Sequence, residues 1–412
     1  MTAIEAKTPE AQPPAEERET VVALLAGYFE RLRGGEVGLL PVLVALGGIT
    51  LYFYSKNENF VTAVNFNNLV IQMAGVAIIA MGVVFVLLLG EIDLSIGYVS
   101  GIGGVTVALL QQPEKSYQVG GLIAILLAVA VGAGIGAFQG SFVALIGVPS
   151  FVVTLAGLLA WQGVVQKAIG DQGVITIQSN TVNNMANYFL PDRWGWALAV
   201  LAAALYAGTV LLDILSRRRI GVAVRHPVLI GLKLLVVSGL CFAVVYVCNR
   251  GGGVPLPGVL IVALLIFWTY IAKRTTFGRH VYAVGGNAEA ARRAGINVKR
   301  IRIVVFMISS SMAVLGGIVF AARLTSVDLN AGGGTILLDA ISAAVIGGTS
   351  LFGGRGNVRD AVVGALLIAA IANGIDLVGY SSATRFIVTG LILLAAVTLD
   401  TVLRRRQAAV GR

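Results

Sequence analysis

The sequence predicts an all-α polytopic membrane protein of about twelve transmembrane helices. Three observations carry that reading. Apolar runs near 20 residues recur along the chain, and about 20 apolar residues are what a helix needs to cross the hydrocarbon. The runs are continuous rather than alternating, which selects helices over a barrel. Of 412 residues, 57% are hydrophobic and only 12% charged, with 52 glycines; small residues suit close helix–helix approach in lipid. The net charge of +10 would suggest nucleic acid in a soluble protein. Here the positive-inside bias explains it, and no nucleic-acid partner is expected.

Residues 1–37 read as a cytoplasmic tail. The first 20 are acidic, contain Pro9, Pro13 and Pro14, and have the composition of a disordered segment. They lack the basic start of a signal peptide. Val21, Leu24, Leu25, Tyr28, Phe29 and Leu32 then fall at helical spacing. They mark either an interfacial helix lying on membrane lipids or a lead-in to the first span.

The transmembrane region covers 38–406. Spans are expected at 38–55, 67–89, 94–112, 119–146, 149–169, 195–215, 228–248, 257–272, 303–322, 336–352, 361–379 and 384–403. With Arg31 and Arg33 placed inside, alternation puts twenty basic residues at inner ends and seven at outer ends. That asymmetry favours both termini, including the 407–412 tail, in the cytoplasm. The pair of spans within 195–250 reads as an addition to a ten-helix core, since removing it leaves every other orientation unchanged. Residues 92–105 echo 338–351, with Asp93 and Asp339 each in second place, and the two segments run in opposite directions. The longest outer loop, 171–194, is rich in Asn and closes on Tyr188, Phe189 and Trp194. It either meets a soluble partner or serves as a connector.

The stretch from Lys273 to Arg302 is the longest strongly polar interval between spans and holds eight Lys or Arg residues. Within it Asn287 is a good N-cap, Glu289 sits in a first turn, and Arg292 and Arg293 sit in a last turn, as the helix dipole favours. Gly295 is placed to end the helix. A helix this short buries no core alone. It rests on the membrane surface or docks on another protein.

Chemistry at membrane depth points to Gly90-Glu91-Ile92-Asp93-Leu94-Ser95-Ile96-Gly97. Carboxylates there are costly and face a cavity or a partner, and the glycines permit a broken helix lining a water-filled path. The alternative is a cytoplasmic turn with Asp93 or Ser95 as a cap. Asn373 and Asp376 either line a polar path or solvate the end of a span. The glycine-rich 347–356 stretch lacks the Gly-Lys-Ser/Thr ending of a phosphate loop. Cys241 and Cys248, seven apart, read as buried thiols. No Cys/His metal spacing, catalytic triad or cofactor motif stands out, so an enzyme and a bound cofactor are not expected.

Three motifs in order, GEIDLSIGYVSG, GGNAEAARRAGINVKRIR and AVIGGTSLFGGRG, resemble the permease subunits of bacterial carbohydrate ABC importers. These are the ribose, galactose and xylose permeases of the branched-chain-permease superfamily. The resemblance covers 38–190 and 257–406, and the extra spans are most like the xylose type. It implies an inner-membrane permease homodimer, an ABC ATPase subunit met through a coupling helix, and a periplasmic sugar-binding protein. The family's coupling segment falls on Gly286, Asn287, Glu289, Ala291, Arg292, Gly295 and Ile296, with Arg293 beside them. Its intramembrane motif falls on Gly90, Asp93, Leu94, Ser95 and Gly97. Family members often carry Gly where Glu91 stands, which leaves the role of Glu91 open. The implied function is sugar import by alternating access, with a pentose such as xylose as cargo. The other readings are an ion-coupled secondary transporter, a channel, or an importer of this family for a nucleoside or other small polar solute.

Overall fold

The computed structural model describes residues 40–112, 119–221 and 227–409, without the side chains of 396, 399, 400 and 403–409. The expected interfacial helix in the N-terminal tail, Lys115, Arg225 and His226 lie outside the described residues. In order, the chain forms α1 (Leu40–Lys56), α2 (Ala63–Leu88), α3 (Ile96–Leu110), α4 (Gly121–Ser141), α5 (Ser150–Ile169), β1 (Val174–Thr176), α6 (Asn180–Asn187), β2 (Phe189–Leu190), α7 (Asp192–Arg219) and α8 (Pro227–Arg250). It continues with β3 (Val254–Pro255), α9 (Leu256–Arg274), α10 (Thr276–Gly286), α11 (Ala288–Arg293), α12 (Val298–Leu324), β4 (Ser326–Asp328), α13 (Ile336–Ile346), α14 (Val358–Val378) and α15 (Ser382–Ala409).

The expected spans each coincide with an apolar helix. Among the described residues, eight helices are long and apolar enough to cross a membrane, and α1, α3, α13 and the start of α15 are shorter apolar helices. The shortness of α3 and α13 corrects the spans expected at 94–112 and 336–352. At about 1.5 Å per residue their 15 and 11 residues rise roughly 22 and 16 Å, against about 30 Å of hydrocarbon. Each is a half-helix preceded by a non-helical lead-in, 91–95 before α3 and 325–335, with its strand 326–328 and turns, before α13. Short polar side chains explain the first break, because they compete for backbone partners: Asp93 Oδ1 accepts the Ser95 N–H at 3.1 Å.

The core is built on α2 and α12. Every residue of α2 from Met73 to Leu88 is buried, as expected of a helix apolar all round. It packs against α12, α14, α13 and α9, while α12 also packs on α3 and α4. The close approach comes from small residues. Gly82 faces Met312 and Ser309, and Gly136 lies against the backbone of Phe306 and Met307.

The two half-helices meet end to end. Gly97, in the first turn of α3, lies against Gly332 and Leu337, which lead into α13. From there α3 runs toward the 171–194 loop, where Gln111 and Gly121 lie beside Ser179. The other half-helix, α13, runs toward the opposite face, where Gly354 meets Leu88 and Gly285. The two thus point to opposite faces, the arrangement of an inverted pair. The echoed aspartates are not in matching places: Asp93 precedes its helix, whereas Asp339 lies in the first turn of its own.

The 171–194 loop is folded rather than a bare connector. β1 pairs antiparallel with β4, Ile175 opposite Val327. Val182 and Ala186 of α6 are buried, and Asn187 donates to the Ala322 carbonyl at 2.7 Å. At the base of the extra helices, β2 pairs with β3, Leu190 opposite Val254. Residues 199–241 of those helices form a compact unit of their own, in which Lys233 sits 6.0 Å over the Tyr206 ring. Cys248 is buried and Cys241 half-buried, both as free thiols.

Candidate functional site

The polar interval 273–302 is helical almost throughout. α9 continues to Arg274 and α12 begins at Val298, so only 275–297 lies between them. Thr275 caps α10, its Oγ1 accepting the Gly278 N–H at 3.2 Å. Val281 and Val284 bury one face of α10. A sequence holding Gly278, Gly285 and Gly286 carries weak helix propensity, which hid this element. The helix expected near 287–295 is α11. Asn287 Oδ1 accepts the Ala290 N–H at 2.9 Å. Gly295 takes a left-handed φ of 84°, and the Ile296 N–H closes back on the Ala291 carbonyl at 3.0 Å, the usual end of a helix at glycine.

One side of α11 is anchored and the other is free. Ala291 is buried and Ile296 packs on the core, whereas Glu289, Arg292 and Arg293 are exposed. Glu289 holds both arginines, at 3.2 Å and 3.3 Å. Exposed pairs of this kind add little stability. Their effect is to display an ordered charged surface of two cations and one anion. Gly286, just ahead, has no atom within 4 Å of where a Cβ would stand.

Behind α11, the three sequence motifs converge. A Cβ on Gly285 would overlap the Leu88 carbonyl oxygen, and Gly353 lies against Gly90 and Gly285. The Gly354 N–H donates to the Leu88 carbonyl at 2.9 Å. Gly90, Gly353 and Gly354 all have positive φ, a conformation L side chains avoid. Tyr282 of α10 donates to the Gly356 carbonyl at 2.8 Å, and burial pushes its phenol pKa up, which keeps the proton on the donor. The end of α10, which leads into α11, therefore touches the end of α2 immediately before Glu91 and Asp93.

The broken segment is held by side chains from three helices, α4, α5 and α12. Glu91 Oε1 lies 3.1 Å from Arg302 Nε. That pair is electrostatic only, since Nε has no hydrogen-bond partner. Asp93 is buried and accepts from Ser95 Oγ at 2.7 Å and Ser309 Oγ at 3.1 Å, besides the Ser95 N–H. None of these donors is a cation. Ser95 Oγ also lies 3.0 Å from Gln139 Oε1, and its one hydrogen serves only one acceptor. Turning the Gln139 amide would bring its unpartnered Nε2 to Ser95. Ser150 and Thr154 of α5 complete the hold, bonding Ile92 N and O at 3.2 Å each.

The remaining candidates separate. Asp339 is buried, accepts from Thr335 Oγ1 at 2.7 Å and lies 3.6 Å from Arg385 of α15. Asn373 is not at an open surface: it pairs with Asn65 through two reciprocal amide bonds of 2.8 and 3.0 Å. Asp376 is exposed near the outer end of α14. Gln139, Ser309, Arg302, Arg385 and Asn65 escaped sequence reasoning. Gln139 is a polar residue in an apolar run, whereas Arg302 ends the polar interval and Asn65, Ser309 and Arg385 sit among other polar residues.

The family described as branched-chain amino acid transport system / permease component matches residues 65–397. The xylose transport system permease protein XylH of Escherichia coli K12 is 33% identical over 349 residues, 84% of this chain and 86% of that protein. Its Haemophilus influenzae counterpart is 32% identical, over 82% of this chain and 89% of the relative. The ribose import permease protein RbsC of E. coli K12 is 31% identical, over 79% and 82%. No solved structure matches the chain significantly.

Proposed function

From the premise that this chain belongs to the family of branched-chain amino acid transport system permease components, we propose that it imports a pentose, such as xylose. It is a multi-pass inner-membrane permease of the carbohydrate ABC type, similar to xylose and ribose permeases. Family membership brings an ATPase and a periplasmic binding protein as partners. A homodimer in contact with membrane lipid is the assembly proposed here. Catalysis of ATP hydrolysis belongs to the partner.

One observation carries the reading. The short charged helix α11 stands on a contact of glycines with the end of α2, directly beside the broken segment 90–95. In the proposed cycle the ATPase engages Gly286, Asn287, Glu289, Arg292 and Arg293, with Ala291, Gly295 and Ile296 fixing the helix beneath them. Its movement reaches Glu91, Asp93, Ser95 and Gly97, and through Gly97 the start of α13 near Asp339. The half-helices then part toward one face or the other. Such a switch costs little where its two states repack a few contacts. Low intrinsic affinity suits the task, because the binding protein delivers the cargo.

The test is co-purification with the ATPase and the binding protein, comparing wild type with Glu289→Ala plus Arg292→Ala. Loss of sugar-stimulated ATP hydrolysis in the double variant supports the coupling role. A second reading has support in Asp93, a buried carboxyl without a cationic partner among the described residues: an ion-coupled transporter with Asp93 as its proton site. Sugar uptake by the chain alone, driven by a proton gradient, would establish that reading instead.

A further inference from the structure

We infer that the cavity between α3, α12 and the non-helical segment 325–335 is the outward-facing sugar site of this permease. This rests on the sugar-import reading above and assigns it a place.

The cavity measures about 290 Å3 and opens at Ser326, Asp328 and Asn330, on the face opposite α11. Its walls include Ser100, Phe320 and the run Gly332–Gly334. It ends where Gly332 crosses Gly97 and Gly101, the point at which the two half-helices meet. It thus lies between that crossing and the exposed Asp328 and Asn330.

Non-helical backbone at membrane depth is tolerated where it is buried in protein or lines a water-filled cavity. This segment does the second. Its upper part is satisfied by β1. Lower down, the N–H groups of Gly332 and Gly334 and the carbonyl of Gly334 have no hydrogen-bond partner among the described residues. Unpaired donors and acceptors at a cavity wall call for a ligand that supplies both. A hydroxyl does.

The lining decides the class of ligand further. It holds one carboxylate, Asp328, and no Lys, Arg or His, so an anion finds no counter-charge. Phe320 offers an apolar face to the C–H side of a ring. A neutral polyhydroxylated ring, a monosaccharide, fits all three features, and backbone groups hold it without the tight grip a binding protein has.

The experiment uses the whole transporter, with ATPase and binding protein, in proteoliposomes supplied with xylose. Asn330, exposed at the mouth with no side-chain bond, is changed to Cys in a background lacking Cys241 and Cys248. It is then modified from outside with a bulky thiol reagent. Asp171→Cys, exposed on the same face but outside the cavity lining, is the control. The expected result is loss of xylose uptake on modifying Asn330→Cys, slowing of that modification by xylose, and retained binding-protein-stimulated ATP hydrolysis. Asn330→Trp, which needs no reagent, shows the same loss. Full uptake by Asn330→Trp overturns the inference, as does parallel loss of ATP hydrolysis, which means lost docking rather than a blocked path. Absence of uptake by the wild type overturns the function reading and this site with it.

Discussion

Adjacent glycines at the end of α10 are expected to behave in opposite ways. Gly285 faces the Leu88 carbonyl so closely that a Cβ must push it back by more than an ångström, with the Gly354 nitrogen also only 3.1 Å away. Both atoms are backbone, hydrogen-bonded to each other on the same side of that Cβ, so no rotamer change relieves the clash. Overpacking of this kind costs about 1–3 kcal/mol. The helix gains up to about 1 kcal/mol from Ala over Gly, which does not offset it. Gly286 has open space and an ordinary φ, so Gly286→Ala keeps the propensity gain alone. Gly285→Ala should lower the unfolding midpoint of the purified chain in detergent, and Gly286→Ala should leave it level or raise it. In the assembled transporter, Gly285→Ala should also reduce sugar transported per ATP hydrolysed, because the forced shift falls between the coupling segment and Glu91. Equal behaviour of the two variants in both assays would refute the reasoning.

Three further outcomes are expected. Glu91 and Arg302 have side chains 14% and 31% exposed. Between an exposed pair and a buried one, their coupling should be about 1–2 kcal/mol in a double-mutant cycle on unfolding. The exchange Glu91→Arg with Arg302→Glu should restore part of the uptake that either single change loses. Asn65→Ala or Asn373→Ala each strands a buried amide at about 1–3 kcal/mol, so the double variant should unfold less readily than the summed single losses require. Ala291→Leu should unseat α11 and weaken recovery of the ATPase on co-purification, while Asp171→Ala, exposed in the 171–194 loop, should leave it unchanged.

What could be read in the chain follows the range of the forces involved. Every apolar helix lay where the hydropathy put it. The ends of α11 were visible because Asn287 and Gly295 act on their own neighbours. Hydropathy does not distinguish a helix from a glycine-rich turn such as 347–352 or a broken lead-in such as 91–95, so the half-length of α13 and α3 was hidden. The pairings of Asn65 with Asn373, 308 residues apart, and of Asp93 with Ser309, 216 apart, exist only after folding. The same holds for β1 on β4. In the site, the motif residues Asp93, Ser95 and Gly97 were legible, whereas the groups that hold them, Gln139, Ser309 and Arg302, were not. Polar residues in apolar spans give no sign of which other span they face.

The glycine contact behind α11 has a mechanical consequence. Side chains that bridge two elements yield by changing rotamer, and some of an applied displacement is lost in that play. Between Gly285, Leu88, Gly90 and Gly353 the chain touches itself through backbone alone. In the coupling role proposed for α11, a push from outside the membrane arrives at Glu91 without slack, so a small stroke suffices. The same joint has no tolerance for wear: any residue with a Cβ at Gly285 shifts its rest position.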